Sequence, residues 1–366
     1  TLLHPASRTR VAVANVGHNL RTGIGSALLE VPGLTFTEDF QPEAITPLTV
    51  GIVALVRGSV AGQGRIEWDG AGTRSTGTFG TEDMNLAAPF GPVESLSTSI
   101  QFTDLLGLTS APGQVARMRL VRAGIDVYDG ELRYQLQPNY HVAVESGRWP
   151  FAGGELFLED TILDFSQPSM KRLVFRVVGL DAARFIQQME FSNITATGTF
   201  DGLIPMQFDQ RGGRIVGGRL SAREPGGTLS YIGELSDRDL GPYGILAFNA
   251  LKSLRYSRFD LTLDGALDGE FITNIDLDGV ARDPVLTTLP GGGGIQGLVA
   301  GRVFRQLARI PFEFNIRIRG EFRALIATAR SFSDPTPLIQ AVLPDLLRES
   351  PATVTDVQDE ESEPVP

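Results

Sequence analysis

The dominant pattern along the chain is alternation with a period of two. Phe259, Leu261 and Leu263 are apolar, with Asp260, Thr262 and Asp264 beside them. Phe271, Thr273, Ile275 and Leu277 make a second such row, and Phe312, Phe314, Ile316 and Ile318 alternate with Glu313, Asn315, Arg317 and Arg319. In an extended strand successive side chains point to opposite faces, so each run offers one apolar and one polar face. A weaker version recurs in Leu132–Leu136, Tyr140–Val144, Leu173–Val177 and Ile272–Leu277. Turn dipeptides separate these runs: Asp69-Gly70, Asp129-Gly130, Asp201-Gly202, Gly212-Gly213, Gly217-Gly218, Gly226-Gly227, Asp264-Gly265, Asp268-Gly269 and Asp278-Gly279. Such pairs tolerate the positive φ that tight hairpins need. Their spacing predicts a long antiparallel meander of about 20 to 30 short strands.

Helical patches are few. Asp181–Met189 opens on a capping Asp followed by strong helix formers. Tyr243–Leu254 carries apolar residues at helical spacing, Ile295–Ile310 follows a glycine run, and Pro337–Arg348 reads as a short terminal helix interrupted by Pro344. No strong linker divides the chain. The expected organisation is a continuous β-groove over 1–290 with helical inserts near 181–189 and 243–254. An amphipathic helix and final strands follow over 291–330, then a terminal helix over 331–350 and a disordered acidic tail over 351–366.

A meander this long must cover one apolar face. It can close into a barrel, pack as a sandwich, or curl into an open U whose trough takes a non-protein filler. Periodicity alone leaves all three open.

Composition narrows the chemistry. The chain has 366 residues, no Cys, three His far apart and a formal charge of −11. Without thiols it has no disulfide, thiolate metal site or Cys nucleophile. A sequence pI near 4.9 argues against nucleic-acid binding, which needs a dense basic face. Five acids and no base lie between Asp356 and Pro366, so the tail carries −5 of the charge. Only Lys171 and Lys252 are lysines, and the arginine excess reads as a coding bias. The longest uncharged apolar stretch near the start, Pro47–Val56, is about half of the roughly 20 residues a membrane span needs.

Motif matches are weak. Gly292-x-Gly294-x-x-Gly297 has the dinucleotide spacing but follows Thr288-Leu289-Pro290, not a strand, so a hinge is the simpler reading. Asp276-x-Asp278-Gly279 lacks the later ligands of a calcium loop. Asn193-Ile194-Thr195 is a lone sequon, and Asp264/Asp268 read as turn residues rather than an acid–base pair. No catalytic residue, metal ligand or cofactor is expected.

The segments Ala123–Leu136, Arg148–Gly154, Thr195–Gly233, Ala250–Val280 and Ile310–Ile326 resemble the C-terminal part of YdbH-like proteins. These belong to the AsmA-like, TamB-related group of bacterial envelope proteins. The resemblance covers roughly 50–330 and rests on the order and spacing of glycine-rich turns. It implies an all-β fold with minor helices: a long antiparallel meander curled into an elongated U-shaped apolar groove that crosses the periplasm. It further implies phospholipid movement between inner and outer membranes. Phospholipid acyl chains would be the cargo. A small outer-membrane lipoprotein would join by strand addition at the C-terminal end. An N-terminal inner-membrane helix, absent here, would make Thr1 the start of a piece. Under this reading Phe259, Leu261, Leu263, Phe271, Ile275, Leu277, Phe312, Phe314, Ile316 and Ile318 line the groove. The competing readings are an assembly scaffold for outer-membrane biogenesis that binds partners at a sheet edge, and a dicarboxylate carrier. The carrier would need convergent basic residues, which the sequence does not cluster.

Overall fold

The computed structural model describes residues 1–46, 49, 53–88, 91–122, 125–167, 169–189, 191, 194–209, 212–231, 254–267, 269–281 and 311–321. They are almost entirely extended. The strands are β1 (Leu2–Leu3), β2 (Arg10–His18), β3 (Gly25–Phe36), β4 (Ala54–Asp69), β5 (Gly72–Ala88), β6 (Gly91–Asp104), β7 (Thr109–Ser110), β8 (Gln114–Arg122), β9 (Asp126–Gln137) and β10 (His141–Phe151). They continue with β11 (Gly154–Leu158), β12 (Thr161–Asp164), β13 (Lys171–Asp181), β14 (Ile194–Thr197), β15 (Thr199–Asp209), β16 (Gly212–Ala222), β17 (Gly227–Tyr231), β18 (Leu254–Ala266), β19 (Glu270–Ala281) and β20 (Pro311–Glu321). One helix, α1 (Ala182–Gln188), and one 3-10 turn at Pro42–Ala44 interrupt them.

Every pairing is antiparallel. β1 meets only the start of β2, and the other nineteen strands form one open sheet that does not close into a barrel. Each strand pairs with its neighbours in sequence. Four rungs are broken strands: β7/β8, β11/β12 and β16/β17 lie end to end beside a common strand, and β14/β15 lies beside β17/β16. Counting each broken strand once leaves fifteen rungs in that sheet among the described residues. At about 4.8 Å between neighbouring rungs, that is a sheet about 67 Å long.

The described residues hold twenty strands, within the expected number, but several are longer than the turn spacing predicts. β4, β5 and β6 run 16, 17 and 14 residues. Asp69-Gly70 does turn a hairpin, with Asp69 Oδ1 accepting from the Ala71 and Gly72 N–H groups at 2.8 and 3.2 Å. Asp129-Gly130, Asp201-Gly202, Gly217-Gly218, Asp264-Gly265 and Asp278-Gly279, however, lie inside strands. Two physical reasons put glycine there. At Gly217 (φ +64°) and Gly265 (φ +142°) the backbone takes a conformation costly to any other residue, and the register between β16 and β18 shifts between Ile215 and Gly218. At Gly202 and Gly279 a carbonyl of the neighbouring strand, that of Arg219 and that of Arg255, occupies the space of a Cβ, and at Gly130 an aromatic ring does, as described below.

Asp181–Met189 forms the expected helix. Asp181 Oδ1 accepts from the Arg184 N–H at 2.9 Å, supplying the N-cap. The other helical expectations, over 243–253, 295–310 and 337–348, lie outside the described residues; Leu254 itself opens β18. The proposed tail at 351–366 also lies outside them.

Three apolar clusters stabilise the sheet. The main one draws buried residues from β6 to β19, with Val177, Leu254, Tyr256 and Leu277 among the most enclosed. A second groups Met206, Phe208, Ile215, Leu267 and Phe271. A third, at the N-terminal end, groups Leu34, Phe36, Phe40, Val56 and Met84.

Candidate functional site

The three rows singled out from sequence fall into one ladder. Phe259 pairs with Leu277, Leu261 with Ile275, Leu263 with Thr273 and Gly265 with Phe271. On the other side of β19, Leu277 pairs with Phe314, Ile275 with Ile316, Thr273 with Ile318 and Gly279 with Phe312. Directly paired residues of an antiparallel ladder share a face. Phe271 and Leu277 are buried, in the second and main clusters. Phe259, Leu261 and Ile275 are half-buried against the main cluster, and Leu263 against the second. The side chains of Phe312, Phe314, Ile316 and Ile318 lie outside the described ones; the backbone register alone carries the row onto β20.

The row continues away from β18. Leu220 pairs with Leu261, Phe175 with Ile204, Leu158 with Phe175 and Val144 with Tyr134. Sequence reasoning found the weak alternation of Leu132–Leu136, Tyr140–Val144 and Leu173–Val177 but did not assign these residues to the surface. Its strands mix glycine and hydroxyl residues into the apolar positions and so blur the alternation.

The glycines explain the floor of this surface. A Cβ built on Gly130 would lie 1.9 Å from Trp149 Nε1, and one on Gly147 2.8 Å from Trp149 Cζ3. A Cβ on Gly62 would meet Phe79 at 2.6 Å, and one on Gly213 would meet Phe208 at 2.4 Å. Large rings therefore lie over bare glycine backbone, of the neighbouring strand at Gly62, Gly130 and Gly213 and of the ring's own strand at Gly147. Tyr256 is the extreme case. It is fully buried, donates its hydroxyl to the Thr197 carbonyl at 2.5 Å, and sits with its ring 5.1 Å from that of Phe259. Burial pushes its hydroxyl up to about 12.

Two comparisons return nothing: no curated protein and no solved structure matches the chain. The third is positive. The family model described as YdbH-like, intermembrane phospholipid transport protein YdbH, matches residues 7–343. The chain belongs to the YdbH-like family.

The opposite face of this YdbH-like chain is charged. Glu94 pairs with Arg119 and Arg122, Glu131 with Arg117 and Arg133, and Arg148 with Glu155. Arg258 bridges Asp260 and Asp278. These exposed pairs each contribute little stability. Their placement gives many arginines a structural use beyond coding bias: the guanidinium fork spans adjacent strands on the wet face. Hydrogen bonding tunes some carboxylates. Ser221 Oγ, donating at 2.6 Å, holds Asp260 below the usual carboxylate range, aided by Arg258. The Arg223 fork, at 2.5 and 2.6 Å, does the same to Asp201.

None of the weak motifs assembles chemistry among the described residues of this YdbH-like chain. Asp276 and Asp278 sit in β19, paired with Asn315 and Glu313. Asp264 accepts from the Gly217 N–H at 2.9 Å, so it satisfies the bulge. No group of three potential metal ligands occurs among the described residues. Gly292, Gly294, Gly297, Asn193 and Asp268 lie outside them. No described helix is long and apolar enough to cross a membrane.

Proposed function

We propose that the chain is a lipid conduit of the cell envelope, in which phospholipid acyl chains travel along the apolar face of the sheet while head groups stay at its wet rim. Membership of an intermembrane phospholipid transport family supports phospholipid as the cargo and the envelope as the place. The observation that carries the conduit mechanism is the ladder Phe259–Leu277–Phe314, Leu261–Ile275–Ile316, Leu263–Thr273–Ile318. It is one face, its described members only half-buried in part, on a sheet that does not close.

The energetics favour such a surface. Each acyl CH₂ costs about 0.8 kcal/mol to expose, so a chain of about 16 carbons costs on the order of 10 kcal/mol to carry through water. A continuous apolar floor lowers that cost at every step. It needs no single dominant residue and no catalytic group. In this reading the complete protein crosses the periplasm from an inner-membrane anchor, and a small outer-membrane lipoprotein adds a strand at the C-terminal end.

The test is substitution of the floor. Leu263→Glu and Phe314→Glu should abolish cross-linking of a diazirine-bearing phospholipid to β18–β20 and impair envelope integrity, while Leu263→Ser checks that the fold survives polarity there. Unchanged cross-linking and integrity in folded Glu variants would defeat the conduit. Partner proteins captured at a sheet edge, without lipid, would favour the scaffold instead.

A further inference from the structure

Ile125 and Asp126, at the entry to β9, make contacts far along the sheet from their own rung. Asp126 opens β9, three rungs before β13, a distance of about 14 Å on a flat sheet. Yet the Asp126 carbonyl accepts a hydrogen bond at 3.0 Å from Gln188 Nε2, at the end of the helix that follows β13. Ile125, next to it, packs against the main cluster and also against the second cluster. The second cluster occupies the ends of β15, β16, β18 and β19 remote from α1 and β14. These two residues therefore touch elements on both sides of the apolar face. From the other side α1 contributes Phe185 and Ile186 to the main cluster, with the Phe185 ring 6.0 Å from that of Phe151.

We infer that Ile125–Asp126 and α1 form a bridge over the apolar face, and that this bridge is the constriction of the lipid path. The proposal rests on the conduit reading and adds to it a position. Beneath the bridge lie Leu173, Phe175 and Ile204, all packed against the same clusters as Ile125. An acyl chain can lie on that floor only when Ile125 withdraws. The latch is light: one neutral side-chain hydrogen bond and one half-buried isoleucine. A latch of that size opens by thermal motion and recloses without an energy source.

The chain has no cysteine, so an introduced pair reports cleanly. Asp126→Cys with Gln188→Cys should be joined by a short bis-maleimide. Both linked and unlinked protein are then exposed to vesicles of phosphatidylethanolamine and phosphatidylglycerol containing a diazirine-acyl phosphatidylethanolamine, and labelled peptides are mapped. Linking should lower labelling of the β13 and β15 floor at least ten-fold while labelling at Leu261 and Ile275 persists. Ile125→Ser with Gln188→Ala should raise floor labelling above that of the parent. Equal floor labelling in linked and unlinked protein, or failure of the pair to link, overturns the bridge and leaves the conduit standing. No labelling at Leu261 and Ile275 in any form overturns the conduit and the bridge with it.

Discussion

Gly130→Ala isolates the ring-over-glycine arrangement from every other effect. Gly130 sits within β9 at an ordinary negative φ, so alanine meets no backbone penalty there. In a strand interior that replacement should gain roughly 0.5–1 kcal/mol from reduced chain entropy. The added Cβ, however, would lie 1.9, 2.4 and 2.7 Å from three atoms of the Trp149 ring. Ordinary contact begins near 3.4 Å, so the ring must retreat by more than an ångström. It has nowhere to go, being 6% exposed within the main cluster and 6.1 Å from the Phe175 ring. Overpacking of this kind costs about 1–3 kcal/mol. The net expectation is a loss of about 1–2 kcal/mol, against the sign of the entropy term. Urea unfolding followed by far-ultraviolet circular dichroism measures it, with an unchanged m-value showing that stability alone has moved. Trp149→Leu supplies the second leg of a double-mutant cycle. With the ring gone, Gly130→Ala should become neutral or stabilising, giving a coupling of about 1–3 kcal/mol. A stabilised Gly130→Ala single variant, or costs additive within about 0.3 kcal/mol, would refute the argument.

Other expectations follow from single contacts. Gln41 imitates a strand, accepting from the Val56 N–H at 2.8 Å and donating to the Val56 carbonyl at 2.9 Å; Gln41→Ala should cost about 1–3 kcal/mol in urea unfolding. Asp181→Ala removes the cap of α1 and should cost about 0.5–2 kcal/mol, with faster amide exchange confined to that helix. Asp201 and Asp260 have folded pKa values below the unfolded one near 3.9, so their contribution is present above that pH and lost as pH falls through the folded values. Asp260→Asn should accordingly flatten the acid limb of a stability–pH curve. Tyr256 has the opposite sense: with a folded value of about 12, the unfolded phenol ionises first above its ordinary value of about 10. Stability should therefore fall as pH rises from about 10 to 12, and Tyr256→Phe should remove that slope.

The alternation at Phe259–Leu263, Phe271–Leu277 and Phe312–Ile318 made the ladder legible, because one buried face and one wet face leave a period-two trace. Asp181 announced α1 by cap chemistry that is local in sequence. Gly130 was legible as a special position but misread. An Asp-Gly pair looks the same whether it turns a hairpin or makes room for a tryptophan nineteen residues away. The same ambiguity at Gly202, Gly217, Gly265 and Gly279 shortened the expected strands. The position of Ile125 left no trace at all, since one apolar residue at the entry to a strand carries no periodicity. What placed it is the curl of the whole sheet.

Among the described residues each rung of the ladder pairs only with the rungs before and after it in the chain. Ordering can therefore start in any hairpin and propagate to its neighbours. The same arrangement makes length a free variable. Inserting one hairpin lengthens the sheet by about 9.6 Å without altering any distant pairing. A sheet built this way can change its length by gain or loss of hairpins, one at a time.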